Sequence, residues 1–204
     1  MSMLEAIDAD YYMFCDQDDI WHTDKIAKTM AAMSKAEQND NNQPLAIHTD
    51  LRVVDENGQI IASSFWQQAG MHPDMFQTFS QRVSNVVTGC TMLFNKSARN
   101  AALKRKPNGS PLHDEWVTIR TCAEGGKIIP LFDQLIDYRQ HTDNTLGAEA
   151  CYNRKTLAYY LTSIGKIYQE NRDNYHVLRS AGYGSLLVYL FNKVRNMMVY
   201  HLKY

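Results

Sequence analysis

An α/β fold follows from three observations on this chain. Apolar runs that read as buried strands, at about 10 to 15 and at Leu45 to Thr49, flank a segment with helical periodicity from Asp24 to about Ala36. An Asn-Gly pair separates two β-rich runs further on, a strong hairpin signal. The acidic string Asp16-Gln17-Asp18-Asp19 directly follows the apolar run Tyr11-Tyr12-Met13-Phe14-Cys15, at the C-terminal edge of a strand, where α/β sheets bind ligands.

The elements follow in order. Residues 2 to 8 read as the end of a helix feeding the first strand. The helix from Asp24 has Thr23 as its expected N-cap, with Ile26, Met30 and Met33 along one face. After a polar loop from Glu37 to Gln43 comes the strand at Leu45 to Thr49. Leu51 to Val54 and Gln59 to Ala62 then form the hairpin around Asp55-Glu56-Asn57-Gly58. The aromatic and Met-rich segment 63 to 85 predicts a short helix near 74 to 80. Val86 to Asn95 reads as a strand interrupted at Gly89, followed by a helix at about 97 to 104. Asp114 to Ala123 reads as helical, and Lys127 to Ile129 and Leu135 to Tyr138 as two strands. From about Ala148 the pattern is helical, with a break near Ala181 to Gly184. This divides the chain into an α/β part, residues 1–147, and a helical extension, residues 148–204.

Composition narrows the function classes. With 204 residues, 45% apolar content and a net charge of −1, the chain suits a globular domain with a sizeable core. It lacks the basic excess of a nucleic-acid binder. Cys15, Cys90, Cys122 and Cys151 are widely spaced, which fits buried thiols in a reducing compartment rather than a disulfide framework or zinc site. No basic segment followed by an apolar run opens the sequence, and no stretch approaches the roughly 20 apolar residues of a membrane span.

Three carboxylates within four residues repel one another unless a cation shares their charge. Mg²⁺ and Mn²⁺ favour oxygen ligands and often bridge protein carboxylates to a diphosphate. The competing account is a solvated acidic turn that caps the next helix. The flanks favour the first. The string from Phe14 through Asp16-Gln17-Asp18-Asp19-Ile20-Trp21 to Asp24-Lys25-Ile26 resembles the metal-binding segment of family 2 glycosyltransferases, most closely the bacterial rhamnosyltransferase-type branch. His48-Thr49-Asp50-Leu51, Thr88-Gly89-Cys90, His113-Asp114-Glu115-Trp116 and Tyr138-Arg139-Gln140-His141 with Asn144 match in the same order.

The resemblance implies a GT-A-like mixed sheet flanked by helices. It implies a metal-dependent, inverting transfer of a sugar, with rhamnose one candidate, from a nucleotide-sugar to a surface polysaccharide or lipid-linked glycan. Asp18 would coordinate Mg²⁺ or Mn²⁺, Asp16 would face the ribose or a metal-bound water, and Asp19 would either join the metal or cap the turn. Asp114 would be the base, with Glu115 as its rival. His141 would add a metal ligand and Arg139 would contact the diphosphate. Gly89 would let backbone approach a sugar, with His113 and Trp116 at the acceptor. Relatives carry several strands ahead of the acidic motif, so the chain corresponds to the second half of such an enzyme. This predicts no ordinary turnover by the chain alone, self-association through an open sheet edge, and as an alternative function a non-catalytic module that binds glycan or a partner. A phosphotransferase reading lacks the Thr or Val expected after Asp-x-Asp, where Asp19 stands.

The tail carries a separate signal. After Asp173 no acidic residue remains, and on a helix over 185–203 Leu187, Leu190, Phe191, Val194, Met197 and Met198 share one face. Such a helix suits either packing against the domain or peripheral contact with an anionic membrane, which would place a cytoplasmic protein at the inner face of the cell membrane.

Overall fold

The computed structural model describes residues 2–38, 40, 42–75, 83–140 and 162–202. Among them, β1 (Tyr11–Met13), β2 (Ile20–Trp21), β3 (Leu45–Val54), β4 (Ile60–Ala62), β5 (Met92–Asn95) and β6 (Lys127–Arg139) form one mixed sheet. Its order is β1-β5-β3-β6-β2, with β4 added to β3 as a hairpin partner. The β3–β6 pairing is parallel and the other pairings are antiparallel. Helices α1 (Ser2–Ala6), α2 (Lys25–Glu37), α3 (Phe65–Gln68), α4 (Lys96–Leu103), α5 (His113–Ala123), α6 (Ile164–Ser180) and α7 (Leu186–Leu202) surround it. The chain is a mixed α/β fold.

The period-2 alternation of the strands decides which helix covers which face. Leu45 and Ile47 of β3 and Leu93 of β5 pack with Met33 of α2 on one side. Ala46 of β3 and Met92 and Phe94 of β5 pack on the other with Trp116, Val117 and Ile119 of α5. Asn95 ties three elements together at one sheet end. Its side-chain oxygen accepts from the Ala98 N–H, capping α4, and from the Leu45 N–H, both at 3.0 Å.

Several expectations need correction. The two strands read at 127–129 and 135–138 are one strand, β6. Leu131 lies opposite Thr49 but Gln134 lies opposite Asp50, so Phe132 and Asp133 form an irregularity that turns Phe132 to solvent. The helix expected near 74–80 is seen only as a 3-10 turn at Pro73–Met75, and its remainder lies outside the described residues. Asp24 rather than Thr23 is the N-cap of α2. Asp24 makes no side-chain cap bond and instead pairs with Lys28 at 3.0 Å. The buried face of α2 is Lys25, Thr29 and Met33, while Ile26 is exposed.

The end of α5 is closed by two glycines. The Gly126 N–H bonds to the Thr121 carbonyl and the Gly125 N–H to the Cys122 carbonyl, the bond pair of a Schellman motif, with Gly125 at φ +77°. Gly126 then enters β6 against Pro44, where a methyl group would overlap the Pro44 and Thr121 carbonyl oxygens. Gly126→Ala should therefore destabilise by more than about 2 kcal/mol, because backbone rather than a flexible side chain must yield. Gly165→Ala in α6, where an added Cβ meets nothing, should be neutral or slightly stabilising. Chemical denaturation of the two variants measures the difference.

Candidate active site

The site is organised by the 3-10 turn Gly89–Thr91, buried at all three residues between Thr88 and β5. The Thr91 N–H and hydroxyl both donate to the Thr88 carbonyl, at 3.0 and 2.7 Å. The Cys90 carbonyl accepts from the Lys25 ammonium at 2.9 Å.

Lys25 opens α2 but faces inward, with 0% of its surface exposed. Its Nζ lies 3.3 Å from the centre of the Trp21 ring, a close cation–π contact. Burial pulls its pKa down from 10.5 to about 8, with Cys90, Cys15, Asp19 and Asp16 pulling the other way. At neutral pH it remains a cation, held directly behind the acidic cluster.

Asp16, Asp19 and Cys90 bring one ligand atom each within 4.8 Å of the others. Burial raises the Asp19 pKa from 3.8 to about 6, and the charges of Asp16 and Asp18 add to it. The Cys90 thiol and the Arg139 backbone N–H approach and oppose this rise, yet neither Asp19 oxygen accepts a hydrogen bond of full geometry. Burial, reinforced by the Asp19 charge, pushes the Cys90 thiol far above its ordinary range, so it stands there as a neutral S–H. The usable donor set is then carboxylate oxygen, which suits Mg²⁺ or Mn²⁺ better than a thiophilic ion. Two buried carboxylate oxygens without good partners are what such an ion would satisfy, so the residues fit. Asp18 occupies the Gln17–Asp18 turn and is not one of the three gathered groups.

The start of α5 packs against Gly89 of the same turn. A Cβ on Gly89 would stand 3.1 Å from His113 Nε2 and 3.3 Å from both Cβ and Oδ2 of Asp114. Only glycine lets the turn backbone come this close without displacing the carboxylate. Asp114 is 6% exposed, and it lies within the first turn of α5 rather than at the N-cap, which is Leu112. Its carboxylate accepts from the Glu115 N–H at 2.7 Å. Burial raises its pKa, opposed by the Glu115 and Gly89 backbone N–H groups and by His113. The exposed His113 ring packs edge-on against Phe14 at 4.3 Å, linking α5 to the segment that leads into the acidic cluster. Glu115 is the next residue of α5. Burial and Asp114 raise its pKa, while Lys193 of α7 pulls it down.

The turn thus brings Asp16, Asp19, Cys90, Gly89, His113 and Asp114 together. Trp116 does not join them. It is 1% exposed and donates its indole N–H to the Ala102 carbonyl at 3.0 Å, so it presents no face to a sugar and must be removed from the acceptor set. Arg139 reaches the cluster through its backbone. His141 lies outside the described residues. Asp50 is structural: its carboxylate accepts from the N–H groups of Leu51 and Trp66 and from Ser64 and Gln134 side chains. Lys25 is the residue that sequence reasoning missed, because its position in an amphipathic helix predicts neither burial nor a cation beneath the carboxylates. Its place four residues after Trp21 was the available signal.

No family model matches the chain, and no curated protein matches it.

The Asp19 shift has a testable sign. The folded chain holds this proton up to about pH 6 and the unfolded chain releases it near 3.8. Stability in the presence of a chelator should therefore fall as pH rises through that window and stay lower above it. Asp19→Asn removes the penalty and should gain about 1 kcal/mol at pH 7 after allowance for solvent screening. Thermal melts of both proteins between pH 4 and 7 in a chelator (on the order of 1 mM) test this: the curves should converge at the acid end.

Proposed function

We propose that the chain is a GT-A-like, family 2-type glycosyltransferase domain. It moves a sugar from a nucleotide-sugar to a bacterial surface polysaccharide or a lipid-linked glycan, with inversion. The observation that carries this reading is the Gly89–Thr91 turn, where Cys90 gathers with oxygen ligands for a cation and Gly89 packs against a desolvated carboxylate.

Single displacement needs these two groups on opposite sides of the reacting carbon. Asp16 and Asp19, with Asp18 nearby, would hold a divalent cation. When bound, such a cation offsets the charge on the departing diphosphate. Asp114 accepts the proton of the acceptor hydroxyl as its oxygen bonds to the anomeric carbon and the bond to diphosphate breaks. Burial raises the Asp114 pKa, which strengthens it as a base. His113 and the Gly89 N–H hold its carboxylate in place. Arg139 is the last residue of β6 and its backbone approaches Asp19, which suits contact with the diphosphate, and His141 would add a ligand to the cation.

Titration calorimetry with Mn²⁺ should give weak binding that tightens with a nucleoside diphosphate. Asp19→Asn should weaken it at least about tenfold, since even groups behind metal ligands cost that much. Asp18→Asn shows whether the third carboxylate shares the ion. In transfer assays on a nucleotide-sugar with an N-terminally extended version of the chain, Asp114→Asn should lower the rate about 10²- to 10⁴-fold and leave donor binding nearly intact. Binding of neither metal nor nucleotide would leave the non-catalytic module as the better reading.

A further inference from the structure

The terminal helix α7 is oriented opposite to an ordinary amphipathic helix. Its polar residues face the protein: Tyr189, Asn192 and Asn196 are buried. The Tyr189 hydroxyl donates to Asn171 of α6 at 2.9 Å, and Asn192 donates to the Tyr183 hydroxyl at 2.8 Å. Lys193 reaches the Val83 carbonyl at 3.2 Å. The apolar residues face out. Leu187 is 78% exposed and Phe191 68%, and Leu190, Val194 and Met198 extend the same stripe at helical spacing. The inward bonds fix the roll of the helix, so the stripe cannot turn inward without leaving buried amides unpaired.

Charge indicates what covers the stripe. From residue 174 to 204 the chain has no Asp or Glu, while Arg179, Lys193, Arg195 and Lys203 are present. At 100° per residue, Lys193 and Arg195 flank the stripe on opposite sides. Two copies pairing stripe to stripe would bring these cations against each other, whereas anionic head groups would neutralise Arg195 while the acyl boundary takes the leucines and Phe191, Lys193 being already held at the Val83 carbonyl beside Glu115. No helix among the described residues is long and apolar enough to cross a membrane.

We propose that the outward stripe of α7 is a docking surface for an anionic lipid bilayer, on which the helix lies flat at the head-group boundary. This stands without the transferase reading. If that reading also holds, Lys193 beside Glu115 means that the helix at the bilayer is next to the start of α5 and the base, within reach of a lipid-linked acceptor.

Cosedimentation of the full chain with vesicles tests the proposal, comparing phosphatidylglycerol–phosphatidylcholine mixtures with phosphatidylcholine alone. The wild type should sediment with the anionic vesicles only, and less as salt rises. Leu187→Gln with Phe191→Gln, both at outward positions, should lower partitioning at least about tenfold with unchanged circular dichroism and melting. Arg195→Gln should lower it about fivefold and flatten the salt dependence. Wild-type protein that stays in the supernatant, or a double variant that sediments like the wild type, overturns the proposal. A wild-type dimer that the double variant abolishes, with no vesicle binding, would make the stripe an interface between copies and equally overturn it.

Discussion

The buried Lys25 ammonium constrains the rest of the site. Removing such an ion from water costs several kcal/mol. Its bond to the Cys90 carbonyl and its contact with the Trp21 ring, each worth about 2 kcal/mol in a desolvated setting, offset much of that cost. The balance is visible in a pKa lowered only to about 8, so the cation persists at neutral pH. One ammonium anchors the Cys90 carbonyl, next to the Gly89 that packs against α5. The first residue of α2 thereby ties the acidic cluster to the turn that borders Asp114.

Both sides of the turn share one electrostatic character. Asp19 and Asp114 are each withdrawn from water, and both are raised above their usual range. They differ in what opposes the rise. Asp114 has backbone N–H groups and His113, a set that fixes a carboxylate in place without neutralising it. Asp19 has the like charges of Asp16 and Asp18 around it and, besides the more distant attraction of Lys25, a thiol and one N–H against them, a set that a cation would complete. One turn therefore separates a carboxylate suited to proton transfer from one suited to a metal.

The helical C-terminal region joins the core through Val177, Leu178, Ala181, Tyr183 and Tyr189, and polar contacts then fix how its last helix is rolled. Tyr189 bonds to Asn171 of α6 and Asn192 to Tyr183 of the connecting segment, and these bonds set the roll of the terminal helix. An apolar seam would have hidden Leu187 and Phe191. Amide and phenol bonds hold the other face inward, because those groups lose more when buried unpaired than the leucines lose when exposed.

The sequence by itself determined the α/β class, the positions of β1, β4, α2, α4, α5 and α7, the hairpin at Asn57-Gly58, the break before α7 and the acidic cluster, while Asp114 as its partner came from the family resemblance. These are local properties: periodicity, turn residues and the density of carboxylates act within a few residues. Only the tertiary structure decided which cation lies behind the carboxylates, that Cys90 rather than Asp18 completes the gathered group, that Trp116 is core, and that α7 turns its apolar side outward. Each of these depends on contacts between residues far apart in the chain, such as Lys25 with Cys90 and Gly89 with Asp114. Helical periodicity marks an apolar face, but the partners available across the fold determine which face is buried.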